Sequence, residues 1–211
     1  PKMYFNSNIK NFRISNQQQK INKLNKLKVD FVIIKKFGKK FSKTKSIDFI
    51  KKILVKKIKA KFIFVSNNFK FGNKREGNVK QLINHENICN YKIINPRPLK
   101  IKKRIVSSSL IRNYLQKGKL IEANKLLGRK WSIEGKVQKG RQLGKKIGFP
   151  TANIDIKDYI LAYPGVYGVR VKSVKSSKYI KGIANLGYRP TFNGKKILLE
   201  VHLFNFSGNL Y

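Results

Sequence analysis

The chain has 211 residues and 24.5 kDa of mass, with 49 lysines and arginines against 9 aspartates and glutamates, for a formal net charge of +40. That length accommodates one large domain or two small ones. A single cysteine, Cys89, excludes a disulfide framework and a cysteine zinc site, and no apolar run is long enough to span a bilayer.

Such a charge raises nucleic-acid binding first. The lysines are nevertheless spread through predicted strands, helices and loops, whereas a binding footprint is clustered. A basic protein that binds single strands on a small β-barrel is therefore the alternative function. No nucleic-acid or membrane partner is expected, the oligomeric state is left open, and a reducing cytoplasm is the expected compartment. Nothing at Pro1 to Asn11 resembles a signal peptide.

Asn16 to Leu27 places Ile21, Leu24 and Leu27 at helical spacing, with Ser15 as the predicted N-cap. Val29 to Ile34 is a compact β-branched run, the pattern of a strand covered on both faces. Ser46 is predicted to cap a helix whose stripe is Ile47, Ile50, Leu54 and Ile58. Lys61 to Ser66 repeats the strand pattern. A shorter helix over Val79 to Glu86, with His85 exposed, precedes a strand at Tyr91 to Ile94. Strands alternating with helices predict a parallel sheet of βα units.

Ligands gather at the carboxyl ends of such strands, where Asn67 to Asn78 lies. Phe69 and Phe71 are suited to flank a planar ring, Asn68 to hydrogen-bond it, and Arg75 to meet a phosphate. An exposed basic loop anchored by two aromatics is the competing reading. Ser107, Ser108 and Ser109 precede a helix through Leu110, Ile111 and Leu115 that stops at Gly118. Serines there supply a cap or an anion site, and Arg112 adds a fork for phosphate oxygens. Leu120 to Leu127 reads as a short helix ended by Gly128, and the domain boundary is placed there, giving 1–128 and 129–211.

Gly140, Gly144 and Gly148 recur at spacings of four, with Lys145 and Lys146 between them. Phe149 and Pro150 lead into Thr151 and Asn153, whose oxygens share one face of an extended segment. Glycines that expose amide groups, followed by oxygen ligands, suit phosphate and a hard metal such as magnesium. No Walker A motif occurs. From Trp131 onward short strands are predicted at Trp131 to Gln138, Val166 to Val174, Tyr179 to Asn185 and Ile197 to Phe206, the pattern of a small antiparallel barrel. Alternation along Leu199 to Phe204 puts Glu200, His202 and Phe204 on one face; a surface pair is preferred there over an acid/base pair.

The run G-R-Q-L-G-K-K-I-G-F-P-T-A-N-I from Gly140, with P-G-V-Y-G-V-R-V from Pro164, G-I-A-N-L-G-Y-R-P-T-F from Gly182 and L-E-V-H-L-F-N-F-S-G-N-L-Y from Leu199, resembles the riboflavin kinase module in order and spacing. Upstream, N-F-K-F-G-N-K-R-E-G-N from Asn68 and V-S-S-S-L-I-R from Val106 resemble the adenylyltransferase module of bacterial bifunctional riboflavin kinase/FAD synthetases. The resemblance implies a truncated Rossmann-like nucleotidylyltransferase domain followed by a small antiparallel β-barrel kinase domain. It implies conversion of riboflavin to FMN and of FMN to FAD, with ATP, riboflavin and FMN as substrates and Mg2+ as cofactor. By the same resemblance Thr151 and Asn153 hold the metal, and Gly140, Gly144, Lys145, Gly148, Phe149 and Pro150 shape the kinase nucleotide loop. Ser107, Ser108, Ser109 and Arg112 serve ATP in adenylyl transfer, and Asn68, Phe69, Phe71 and Arg75 lie near its flavin. Three positions depart from the family pattern: Ser66 at a usual glycine, Asn68 at a usual acid and Ser109 at a usual threonine. Because the chain opens on proline it is expected to be an internal fragment, with an H-x-G-H phosphate motif before Pro1, the kinase base beyond Tyr211, and negligible turnover of its own.

Overall fold

The computed structural model describes residues 2–6, 8, 9, 12–138, 148–174, 176, 178–191 and 194–207. In chain order the helices are α1 (Lys2–Phe5), α2 (Gln17–Lys26), α3 (Lys39–Ser42), α4 (Ser46–Asp48), α5 (Val79–Asn84), α6 (Glu86–Cys89), α7 (Ser108–Gln116) and α8 (Leu120–Leu127). The strands are β1 (Phe62–Phe64), β2 (Lys70–Phe71), β3 (Gly77–Asn78), β4 (Lys92–Ile94), β5 (Lys100–Ile101) and β6 (Arg104–Ile105). They continue with β7 (Val137–Gln138), β8 (Thr151–Asp155), β9 (Gly165–Val171), β10 (Ile180–Thr191) and β11 (Gly194–Leu203). Two compact units emerge, one of Pro1–Ser7 with Ile33–Val106, the other of Asn8–Val32 with Ser107–Tyr211.

In the first unit β1 and β4 pair in parallel, with Ile63 opposite Ile93. Ile50, Phe71, Leu82 and Tyr91 form its core. Ser46 begins α4 but does not cap it. Lys45 holds the cap position without a side-chain bond, and the Ser46 amide donates to Glu76 Oε1 at 2.6 Å, a carboxylate placed at the positive helix end. The chain then continues as a π-helix over Phe49–Lys57. Its wider i→i+5 turn buries Ile50 completely but leaves Ile58 44% exposed, off the predicted stripe. His85 is half-buried, its Nδ1 2.8 Å from the Gln81 carbonyl, and is not the exposed residue expected.

The predicted strand at Val29 to Ile34 does not form. The run carries no ladder partner, Phe31 is 87% exposed, and the division between the units falls after Val32. A β-branched run becomes a strand only when another strand takes up its amides and carbonyls.

The second unit is built on an antiparallel sheet in the order β7-β8-β11-β10-β9. No pairing between β7 and β9 closes it among the described residues. Ala184, Val201 and Leu203 are buried on one face, and Ile111, Leu115, Ile156, Tyr159 and Leu186 belong to a core shared with α7 and α8. Helix α2 is also part of this unit. Asn16, rather than Ser15, caps it: Asn16 Oδ1 accepts from the Gln19 amide at 2.7 Å and Gln19 Oε1 from the Asn16 amide at 3.0 Å. The buried Gln19 then donates to the Ser132 carbonyl at 3.1 Å, and Trp131 Nε1 donates to the Ile14 carbonyl at 2.8 Å. These bonds hold the backbone from Trp131 as an irregular segment, so that only Val137–Gln138 of the predicted strand pairs.

Candidate active site

β8 presents Thr151 and Asn153 on one face, as alternation requires. The ladder sets Asn153 opposite Gln138 of β7 on one side and Glu200 of β11 on the other, and Glu200 in turn opposite Asn185 of β10. Directly opposed residues of an antiparallel sheet share a face. Gln138, Asn153, Glu200 and Asn185 therefore form a polar row across four strands, on the face away from Val201 and Ala184.

Asn153 is the most enclosed member of the row, 8% exposed, and among the described residues its Oδ1 has no hydrogen-bond partner. An orphaned buried oxygen costs about 1–3 kcal/mol, which makes it an acceptor in want of a partner. An amide oxygen beside a threonine hydroxyl and a carboxylate is an all-oxygen set, the chemistry of a hard cation.

One row along, Thr151 stands opposite His202. His202 Nδ1 lies 3.0 Å from the Pro150 carbonyl, and its ring meets those of Phe149 and Phe204 edge-on at 5.5 and 5.9 Å. Gly148 has φ +82, the left-handed region that a glycine occupies without strain. Gly140, Gly144 and Lys145 lie outside the described residues.

Ser107 caps α7, its Oγ accepting from the Leu110 amide at 3.2 Å. Among the described residues the amides of Ser108 and Ser109 have no acceptor and remain as the open donors of that helix end. Arg112, a turn further on, donates from Nε to the Phe12 carbonyl at 2.7 Å and lies 5.0 Å over the Phe12 ring. Burial lowers its pKa from the usual guanidinium range.

Asn68, Phe69, Phe71 and Arg75 all sit on or beside the β2–β3 hairpin in the other unit. Phe71 faces inward, 7% exposed, stacked on Phe69 at 5.5 Å and tilted against Phe49 at 5.3 Å. That leaves Asn68, Arg75 and the half-buried Phe69 at the loop surface. Gly72 has φ +76, and a Cβ there would lie 2.7 Å from the Ser46 backbone, so glycine allows the hairpin to dock on α4.

Glu200, Gln138 and Asn185 were not singled out as site residues from sequence. The alternation along β11 was legible, but only the register places Glu200 beside Asn153. Among the described residues no helix is long and apolar enough to cross a membrane.

Family models place the chain in known company. One described as riboflavin kinase matches residues 127–211, and one described as FAD synthetase matches residues 1–110. The bifunctional riboflavin kinase/FMN adenylyltransferase of Haemophilus influenzae is 39% identical over 211 residues, which is 100% of this chain and 68% of that protein. Its counterpart from Buchnera aphidicola subsp. Schizaphis graminum is 42% identical over 202 residues, covering 94% of this chain and 64% of its own length. The Escherichia coli K12 protein of the same name is 34% identical over 199 residues. The chain thus spans 63 to 68% of the length of these curated relatives. A crystal structure described as a macrolide-efflux protein from Streptococcus pneumoniae superposes with a TM-score of 0.79 at 28% identity, over 94% of this chain and 63% of that one.

Proposed function

The chain belongs to the family of bifunctional riboflavin kinase/FMN adenylyltransferases, and from that premise we propose that it works in flavin cofactor synthesis in the cytoplasm. Residues 129–211 serve transfer of the ATP γ-phosphate to the riboflavin 5′-hydroxyl, giving FMN. Residues 1–128 serve transfer of AMP from ATP to FMN, giving FAD and pyrophosphate. The antiparallel sheet is taken to belong to a closed barrel and the parallel pair β1–β4 to a Rossmann-like sheet. The nucleic-acid alternative gains no support from the family.

The orphaned, buried Oδ1 of Asn153 carries the kinase reading. Asn153 and Thr151 would hold Mg2+, which when bound neutralises charge on the phosphate oxygens. Gly140, Gly144, Lys145 and Gly148 would bring the phosphates to them, with Phe149 and Pro150 joining the loop to β8. Sequence expectation put the base beyond Tyr211; the register favours Glu200, a carboxylate opposite Asn153, to take the proton of the attacking hydroxyl. For adenylyl transfer, the amides of Ser108 and Ser109 would meet ATP phosphates, with Ser107 holding the helix end open. Arg112 is already committed through Nε, so only its terminal nitrogens are offered. Asn68, Phe69 and Arg75 would contact flavin or nucleotide, and the buried Phe71 would support Phe69 from beneath.

Calorimetric titration of the chain with Mg-ADP, with and without FMN, tests the site. Asn153→Ala is expected to weaken binding by about 1–3 kcal/mol, the loss of a charge-assisted contact. Equal affinity in both proteins, or binding of a control oligonucleotide alone, would remove the assignment. FMN formation from riboflavin tests the base: with Glu200 as base this chain should turn over, against the negligible turnover expected with the base beyond Tyr211, and Glu200→Gln should slow it by roughly 10²–10⁴-fold. Undiminished turnover in that variant returns the base to another residue.

A further inference from the structure

We propose that His202 is a positioning residue, whose imidazole latches the Phe149–Pro150 segment to β11 and so fixes Thr151 for the metal–nucleotide. The inference rests on the kinase reading of Thr151 and Asn153.

The ladder between β8 and β11 ends at the pair Thr151 and His202. Pro150, the residue before it, has no N–H with which to continue pairing. Its carbonyl is met by a side chain, His202 Nδ1 at 3.0 Å. A carbonyl only accepts, so Nδ1 carries the hydrogen, and in the neutral ring Nε2 is left as an acceptor. Phe149 packs edge-on against the same imidazole at 5.5 Å, and Phe204 meets it edge-on at 5.9 Å. Immediately upstream Gly148 sits at φ +82, a conformation that glycine takes without strain. Between that turn and the first laddered residue, the imidazole ties Phe149 and Pro150 to the sheet among the described residues. Thr151 is next in the chain and is also the cross-strand partner of His202, so the latch acts on the residue whose hydroxyl the metal requires.

A histidine that merely packs against two phenylalanines predicts a different outcome. His202→Phe keeps the ring and loses the donor; His202→Asn loses the ring but keeps an N–H where Nδ1 was. ADP affinity of the full chain is measured by calorimetry with Mg2+ and with EDTA, alongside thermal unfolding. His202→Phe is expected to lose about tenfold of the Mg2+-dependent affinity, the worth of one hydrogen bond, with His202→Asn restoring it to within about twofold. A space-filling role lowers the unfolding temperature of His202→Asn and leaves the Mg2+-dependent increment of His202→Phe intact, and that result overturns the proposal. Long-range 15N NMR of the wild type above pH 8 should find the proton on Nδ1; a proton on Nε2 overturns it without any variant. Wild type that binds no Mg-ADP brings down the kinase reading and this inference together, whereas wild-type binding matched by His202→Phe brings down this inference alone.

Discussion

Replacing Asn153 with valine should stabilise the ligand-free chain while weakening its response to Mg-ADP. The side chain is 8% exposed and carries an oxygen with no partner among the described residues. Leaving such an oxygen buried costs about 1–3 kcal/mol, and valine suits an enclosed strand position of similar volume. Allowing for whatever the amide nitrogen contributes, the net gain is about 1 kcal/mol. With a urea m-value of about 2–3 kcal/mol/M, the midpoint rises by roughly 0.3–0.5 M. Mg-ADP at a hundredfold excess over the wild-type Kd adds about 2.7 kcal/mol to the wild type and, with binding weakened by about 1–3 kcal/mol, only about 0.3–1.8 kcal/mol to the variant.

The chain has two compact units, so a single global transition is not assumed. Trp131, the only tryptophan, packs against the core of the second unit and donates to the Ile14 carbonyl, so its fluorescence follows the unit that carries Asn153. Urea titrations of both proteins, with and without Mg-ADP, give four midpoints. A variant that is less stable without ligand and equally responsive to Mg-ADP would refute the reasoning, because Oδ1 would then be neither a cost nor a ligand. Such a trade of stability for binding is characteristic of functional sites.

Gly182→Ala should destabilise the second unit by about 2–4 kcal/mol, since the added Cβ meets the His202 carbonyl on the paired strand; an unchanged Trp131 transition would contradict this. Tyr159→Phe removes a hydroxyl that accepts from the Glu134 amide at 3.0 Å and lies 3.0 Å from Gln19 Oε1. The same transition should fall by about 1–3 kcal/mol, the cost of the groups left unpaired. Tyr91 is pushed from 10.0 up to about 12, first by burial and then by the neighbouring Cys89 and Glu86, while its hydroxyl donates to the Leu82 carbonyl at 2.7 Å. A raised pKa gives stability that is complete below pH 10 and is lost as pH rises through about 12. Unfolding of the first unit, followed by amide exchange, should therefore show a drop between those pH values in the wild type that Tyr91→Phe lacks.

Local chemistry was legible where a single residue carries the signal. Ser107 caps α7 and Gly128, at φ +63, ends α8 because the backbone conformation at each point selects those residues. Ser15 is the cap expected from sequence; Asn16 takes the position instead because Gln19 stands three residues on and closes the capping box. Val29 to Ile34 failed for the opposite reason. Its hydrophobicity is a property of the run, but strand formation is a property of the run and its neighbour. The irregular path from Trp131 was equally unreadable, since it depends on partners such as Ile14 and Gln19 more than a hundred residues earlier.

The same distinction governs the site. Thr151 and Asn153 could be placed together from alternation on one strand, whereas the relation of Asn153 to Glu200 exists only in the register of β8 and β11. Of the 9 acidic residues, Asp48 pairs with Lys52, Glu76 accepts the Ser46 amide, Glu86 accepts the Ile93 amide, and Asp155 accepts the Lys157 amide. Those carboxylates serve helix ends, turns and strand junctions. Glu200 stands mid-strand, half-buried, in a row whose other members are the amides Gln138, Asn153 and Asn185. In a chain with 49 basic residues, a row of three neutral amides and one carboxylate sets Glu200 across the ladder from Asn153, whose Oδ1 has no hydrogen-bond partner among the described residues. A hard cation needs such a place, and so does a hydroxyl that must give up its proton.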